Sequence, residues 1–169
     1  MEATRGAILM LNPNNESCTL YPEEIDVLLS TGTLQIVETE KLLADLSVTM
    51  RVPKSLPKGL VEALNSAYEK LSFVEAAYVV DLRPADAQDD IKILIIILTP
   101  DMHAEHAARA TITVVQGLDI DYPYPIDITV YCPSSDKTRS LSAFEPVYIK
   151  RLELRGRLNR IYAVNCAQK

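Results

Sequence analysis

Along "LSVTMRV", residues 46–52, apolar and polar positions alternate, with Leu46, Val48, Met50 and Val52 on one side and Ser47, Thr49 and Arg51 on the other. A period of two marks a strand buried on one face. Pro53 ends it, Ser55 is placed to cap a helix, and the period then lengthens. Leu60, Leu64, Ala67, Tyr68 and Leu71 recur at steps of three and four, predicting a helix over about 57–71 with one apolar stripe. Phe73 to Leu82 is rich in β-favouring residues, as is "ILIIIL" at 93–98, and the polar "RPADAQDD" at 83–90 divides them. The two runs predict a hairpin with a long loop. A second helix is predicted from a cap at Asp101 to Gln116, closed by Gly117, with Ala104, Ala107, Ala108, Thr111, Val114 and Val115 as its inward stripe. "IDITVY" at 126–131 completes the series as a strand.

From Leu46 the order is therefore βαββαβ. This predicts an α/β (α+β) fold of the ferredoxin-like sandwich type, a mostly antiparallel sheet with its helices on one face. Before it, residues 6–11 form a strand candidate and "NPNN" at 12–15 a turn. A short helix follows, with Pro22 in its first turn, Glu23 and Glu24 at the positive end of the dipole, Ile25, Leu28 and Leu29 sharing a face, and Gly32 as its stop. Thr33–Val37 is a further strand candidate, and 38–45 fits either a helical turn or a strand entry. "FEPVYIK" at 144–150 is extended, and 152–162 has a helical pattern. The chain thus divides into an N-terminal strand and helix segment (1–45), the α/β domain (46–151) and a C-terminal tail (152–169).

Composition narrows the class. A chain of 169 residues that is 48% hydrophobic and 24% charged has the makings of a globular core and not of a disordered polymer. The longest apolar run is far shorter than the roughly 20 residues of a membrane helix. Gly6–Leu11 is too short for a secretory core, so no leader is expected. Cys18, Cys132 and Cys166 are odd in number and widely spaced, which argues against a disulfide framework and for a reducing cytoplasm. The net charge is −6, although Lys150, Arg151, Arg155, Arg157 and Arg160 face only Glu153 within 150–160. The body ahead of that basic stretch is acidic. Such a field repels nucleic acid and anionic lipid, so neither is expected as a partner, and it favours a basic protein.

No set of residues completes a reaction centre. Cys132 opens "CPSSDKTR", but six residues separate it from Arg139 where a phosphatase loop has five, and the loop has no glycine to wrap a phosphate. His103 and His106 stand one helical turn apart in "HAEH"; these are the chain's two histidines, and no carboxylate is singled out to join them on a metal. Serines fall outside G-x-S-x-G, and the five glycines are unclustered, which argues against nucleotide-dependent catalysis. No catalytic, metal or cofactor residue is nominated, and the reading on enzymatic activity leans to none. The feature that invites a partner is "YPYP": Tyr122, Pro123, Tyr124 and Pro125 make a stiff, extended, low-entropy segment whose rings either meet a partner or cover the protein's own core.

"LNPNNESCTLYPEEIDVLL", "VPKSLPKGLVEALNSAYEKLSFVEAAYVVDL" and "FEPVYIKR" together make the chain resemble the SseB family of bacterial "enhanced serine sensitivity" proteins, in its C-terminal domain. Pro53, Leu56-Pro57, Leu60, Leu64, Val74, Ala76, Ala77 and Tyr78 carry the most characteristic part. Members commonly have a further N-terminal domain, which this shorter chain is expected to lack. The resemblance implies no catalytic residues, because serine sensitivity is a phenotype without a defined reaction. The expected role is a non-catalytic cytoplasmic interaction module, adaptor or immunity-like, that binds another protein or a second copy of itself. The alternatives are a small-molecule sensor or enzyme of amino-acid (serine) metabolism, and a structural homo-oligomer subunit.

Overall fold

The computed structural model describes residues 7–11, 18–33, 48–84, 91–118 and 123–150. The expectations for the 12–15 turn, a strand to Val37, the 38–45 stretch, the 85–90 loop, Tyr122, the 152–162 tail and Cys166 lie outside these residues.

The strand predicted from the alternation at 46–52 is β3 (Val48–Arg51). The helix after it is α2 (Leu60–Tyr68), shorter at its start than its stripe suggests. Two local features delay it. Pro57 sits in a turn closed by the Leu60 N–H on its carbonyl at 3.2 Å, and Gly59, at φ +80°, takes the left-handed N-cap position expected of Ser55. A residue with a Cβ is strained in that region, so glycine is required by the turn rather than by the helix. The hairpin is β4 (Ala76–Pro84) with β5 (Lys92–Leu98), paired antiparallel from Ala76 opposite Leu98 to Leu82 opposite Lys92. Phe73, expected in the strand, lies before it in a turn that closes from Val74 N–H to the Leu71 carbonyl.

Asp101 does not cap the second helix. It opens a 3₁₀ turn (Asp101–His103) and accepts the Ala104 N–H on its backbone carbonyl, and α3 (Ala104–Gln116) continues from there. Ala107 and Thr111 are buried as predicted, Ala110 joins them, and Ala104, Ala108, Val114 and Val115 are half-buried. β6 (Ile126–Tyr131) occupies the predicted residues. Beyond it come a 3₁₀ segment (Asp136–Ala143) and a two-residue strand, β7 (Tyr148–Ile149), on the edge of β4. At the other end, β1 (Leu9–Leu11) and β2 (Cys18–Leu20) form a separate two-stranded sheet that leads into α1 (Pro22–Thr31).

The class and the βαββαβ order hold: helices lie on a mostly antiparallel sheet. The strands are laid out in chain order, β3-β4-β5-β6. Because β6 runs parallel to its neighbour β5, the α3 crossover joins adjacent strands, and no strand is inserted between them as in a split βαβ unit. Each face of the sheet has its own core. Ala77 and Val79 of β4 and Ile93, Ile95 and Ile97 of β5 pack with Leu60, Leu64 and Tyr68 of α2 and Ala107 and Ala110 of α3. The intervening residues Val80, Leu82, Leu94 and Ile96 pack with Leu141 from the 3₁₀ segment, and Phe144 and Tyr131 flank them. The face opposite the α-helices is therefore covered at its centre. Burial on both faces explains why β5 reads as an unbroken apolar run.

Candidate interaction surfaces

The segment singled out by its sequence enters β6, at the end of the sheet. Pro123 and Pro125 are exposed and Tyr124 is half-buried. The Pro125 carbonyl accepts the Ile93 N–H at 2.9 Å, so the segment begins as an extension of the β5–β6 ladder. Among the described residues no strand pairs with the other edge of β6, and all six of its residues are half-buried. A proline cannot donate to a ladder, and two of them within three residues limit pairing to the strand proper. The arrangement brings Pro123, Tyr124 and Pro125 to the rim of a sheet edge with which no described strand pairs.

A second surface was not legible in the sequence. α1 packs on α3, and the contact is polar. Arg109 of α3 makes a forked bond to Glu24, Nε to Oε1 at 2.7 Å and Nη2 to Oε2 at 2.8 Å, and Nη2 also donates to the Thr19 carbonyl at 2.7 Å. Glu24 Oε2 accepts the Tyr21 N–H at 2.9 Å, half of a capping box that fixes the first turn of α1. His106, one turn back on α3, meets Glu23 Oε2 at 3.0 Å, and its ring lies on that of Tyr21 with centroids 4.0 Å apart and planes within 11°. The stack continues through Phe73 to His103. Burial alone would lower the Arg109 pKa, but hydrogen bonds and charge from Glu24 and Glu105 outweigh it and raise it. Burial first, then the Glu105 charge, raises that of the Tyr21 phenol.

This arrangement revises the reading of α1. The inward residue of α1 is Glu24, while Leu29, expected to share a buried face with Ile25 and Leu28, is 80% exposed and the other two are half-buried. The Arg109 fork and the Tyr21 N–H both hold the Glu24 carboxylate on the inward side of the helix. His103 and His106 do not converge on a shared ligand set: each is stacked on an aromatic ring, and among the described residues no group of three or more metal-binding side chains occurs. Cys132 Sγ sits 3.2 Å from Ser134 Oγ, and Arg139 is paired with Asp136 on the surface. The sequence signal for this second surface was present in "LYPEE" and in a lone arginine on an alanine-rich helix, but nothing local linked residues 85 positions apart.

Among the described residues no helix is long and apolar enough to cross a membrane. Comparison with the curated proteins and with the solved structures returned no match. The family model of the SseB protein C-terminal domain matches residues 43–150, which takes in β3 to β7 and both helices of the main core. With more than half of its length matched, the chain belongs to the SseB C-terminal domain family.

Proposed function

We propose that this SseB-type chain is a non-catalytic, cytoplasmic bacterial protein that works by binding another protein, as an adaptor or immunity-like module. The observation that carries the reading is the outer edge of β6, with which no strand pairs among the described residues, with Pro123 and Pro125 exposed at its entrance. An unpaired edge offers backbone hydrogen bonds to a partner strand, and a rigid Tyr-Pro segment beside it adds ring contacts at low entropic cost. The acidic body favours a basic partner. Free Cys18 and Cys132 agree with a reducing compartment. Edge pairing between two copies is the second reading that this same edge favours.

The test is quantitative capture of partners by the tagged chain and by its Tyr122→Ala/Tyr124→Ala form. The expected result is a stoichiometric partner that the double variant loses while its melting temperature stays within a few degrees. A partner retained at full stoichiometry would remove the segment from the surface. Light scattering separates the two readings, since edge pairing between copies gives a dimer mass from the chain alone.

A further inference from the structure

The unit of β1, β2 and α1 is fastened to the body by a small set of groups, and those groups have the character of a recognition site. The one fully buried residue of α1 is a carboxylate, Glu24, at 6% exposure. Its receiver, Arg109, lies on α3 within the matched family region, whereas the unit itself precedes residue 43. We propose that the outer face of α3, centred on Arg109 and His106, is a groove that recognises an aromatic-acidic peptide, which residues 18–31 of this chain fill in cis and a partner segment of the same chemistry displaces.

Three features support this. First, the specificity lies within six consecutive residues: the Thr19 carbonyl and the Glu24 carboxylate on Arg109, the Tyr21 ring on His106, and Glu23 on His106 Nε2. A short linear segment can reproduce all of them, which a contact spread over many elements would forbid. Second, the receptor is held ready when the segment leaves. Glu105, one turn before Arg109 and 71% exposed, bonds Nη1 at 3.1 Å and keeps the guanidinium directed outward. Such preorganisation lowers the entropic cost of binding an incoming carboxylate. Third, the contact is made of exchangeable forces. The segment is held by a few directional contacts to two side chains of α3, each of which an equivalent carboxylate or ring can replace one for one, while the apolar cores on either side of the sheet offer no such exchange. The bound segment can thus leave without unfolding the body.

The α3 groove is independent of the β6 edge, and its experiment does not involve residues 122–131. A fluorescent peptide of sequence TLYPEEIDVLLST is titrated into the full-length chain, its Glu24→Gln form and its Glu24→Gln/Arg109→Gln form. Weakening the cis segment should make the peptide bind Glu24→Gln at least tenfold more tightly than the unaltered chain. Adding Arg109→Gln should abolish that gain. A peptide with Tyr21 and Glu24 replaced by Ala and Gln should not bind. Equal affinity for the first two proteins, or equal binding of both peptides, overturns the proposal. Hydrogen exchange on the unaltered chain gives an independent check. Amides of 22–31 should exchange at least tenfold faster in saturating peptide than without it, with those of 93–97 unchanged, and equal protection of 22–31 with and without the peptide overturns it as well.

Discussion

The body over residues 48–150 and the hairpin-helix unit over residues 7–33 are held by different forces. In the body, β5 is enclosed from both sides, with Ile93, Ile95 and Ile97 at 0% exposure towards the helices and Ile96 at 1% towards Leu141. In the N-terminal unit, Ile8, Leu9, Met10 and Leu11 are 44–57% exposed, and the buried members are Leu20 and Glu24. Apolar burial is non-directional and scales with area, so it builds a cooperative whole. A charge fork is directional and local, and it joins only a few groups. The contrast predicts a cooperative core and an attached element that opens separately from it.

The largest effect belongs to the core. Ile95→Ala should lower global stability by about 2–5 kcal/mol, because a close-packed site between two layers cannot collapse around the cavity. Urea denaturation followed by far-ultraviolet circular dichroism measures it, and a loss under about 1 kcal/mol would show that the body is loosely packed and the contrast misplaced.

Two glycines then allow the same strain to be placed in each region. Gly32 closes α1 at φ +74° and Gly59 opens α2 at φ +80°, and an added Cβ meets open space at the first and only the Leu118 Cδ2 atom at 4.0 Å at the second. Alanine at either position costs about 1–2 kcal/mol in backbone strain. Gly59→Ala should lower the global transition by that amount. Gly32→Ala should leave it unchanged and accelerate amide exchange in α1 alone. Equal shifts of the melting temperature would merge the two regions into one cooperative unit.

The smallest effect is one of pH. Tyr68 is fully buried, and its phenol donates to Thr111 Oγ1 at 2.9 Å, since Thr111 itself donates to the Ala107 carbonyl. Burial, against a smaller opposing effect of that hydrogen bond, holds its pKa well above the ordinary 10.0. A group whose folded pKa is raised contributes stability in full below its unfolded pKa and loses it as the pH climbs towards the folded value. The body should therefore weaken above about pH 10, the unfolded value for tyrosine. Tyr68→Phe should flatten that decline and cost about 0.5–1.5 kcal/mol at neutral pH through the lost hydrogen bond. Tyr21→Phe, by contrast, should change the alkaline profile only in α1 amides. Urea midpoints at pH 7 and near pH 10.5 decide the first, and exchange rates the second.

Much of the body was legible because its signals are local. The alternation at 48–51, the stripe Leu60–Leu64–Tyr68, the β-rich runs of β4 and β5 and the six residues of β6 each follow from the period of their own backbone. The 3₁₀ segment Asp136–Ala143 was missed because its polar sequence holds one buried residue, Leu141, and a single apolar position has no period. The prolines of Tyr122–Pro125 led to the expectation of a stiff, extended segment; Pro123 and Tyr124 lie in a bend, and the place of 123–125 at the start of β6 depended on which strands became neighbours.

The sequence by itself determined the element types, the α+β class and the family resemblance, since propensity, periodicity and turn chemistry act over a few residues at a time. Tertiary structure alone decided that the strands lie in chain order with β6 parallel to β5, that the second sheet face is covered, and that Glu24 meets Arg109. Those outcomes depend on which distant surfaces meet, and a pairing across 85 residues leaves no period in the chain that encodes it.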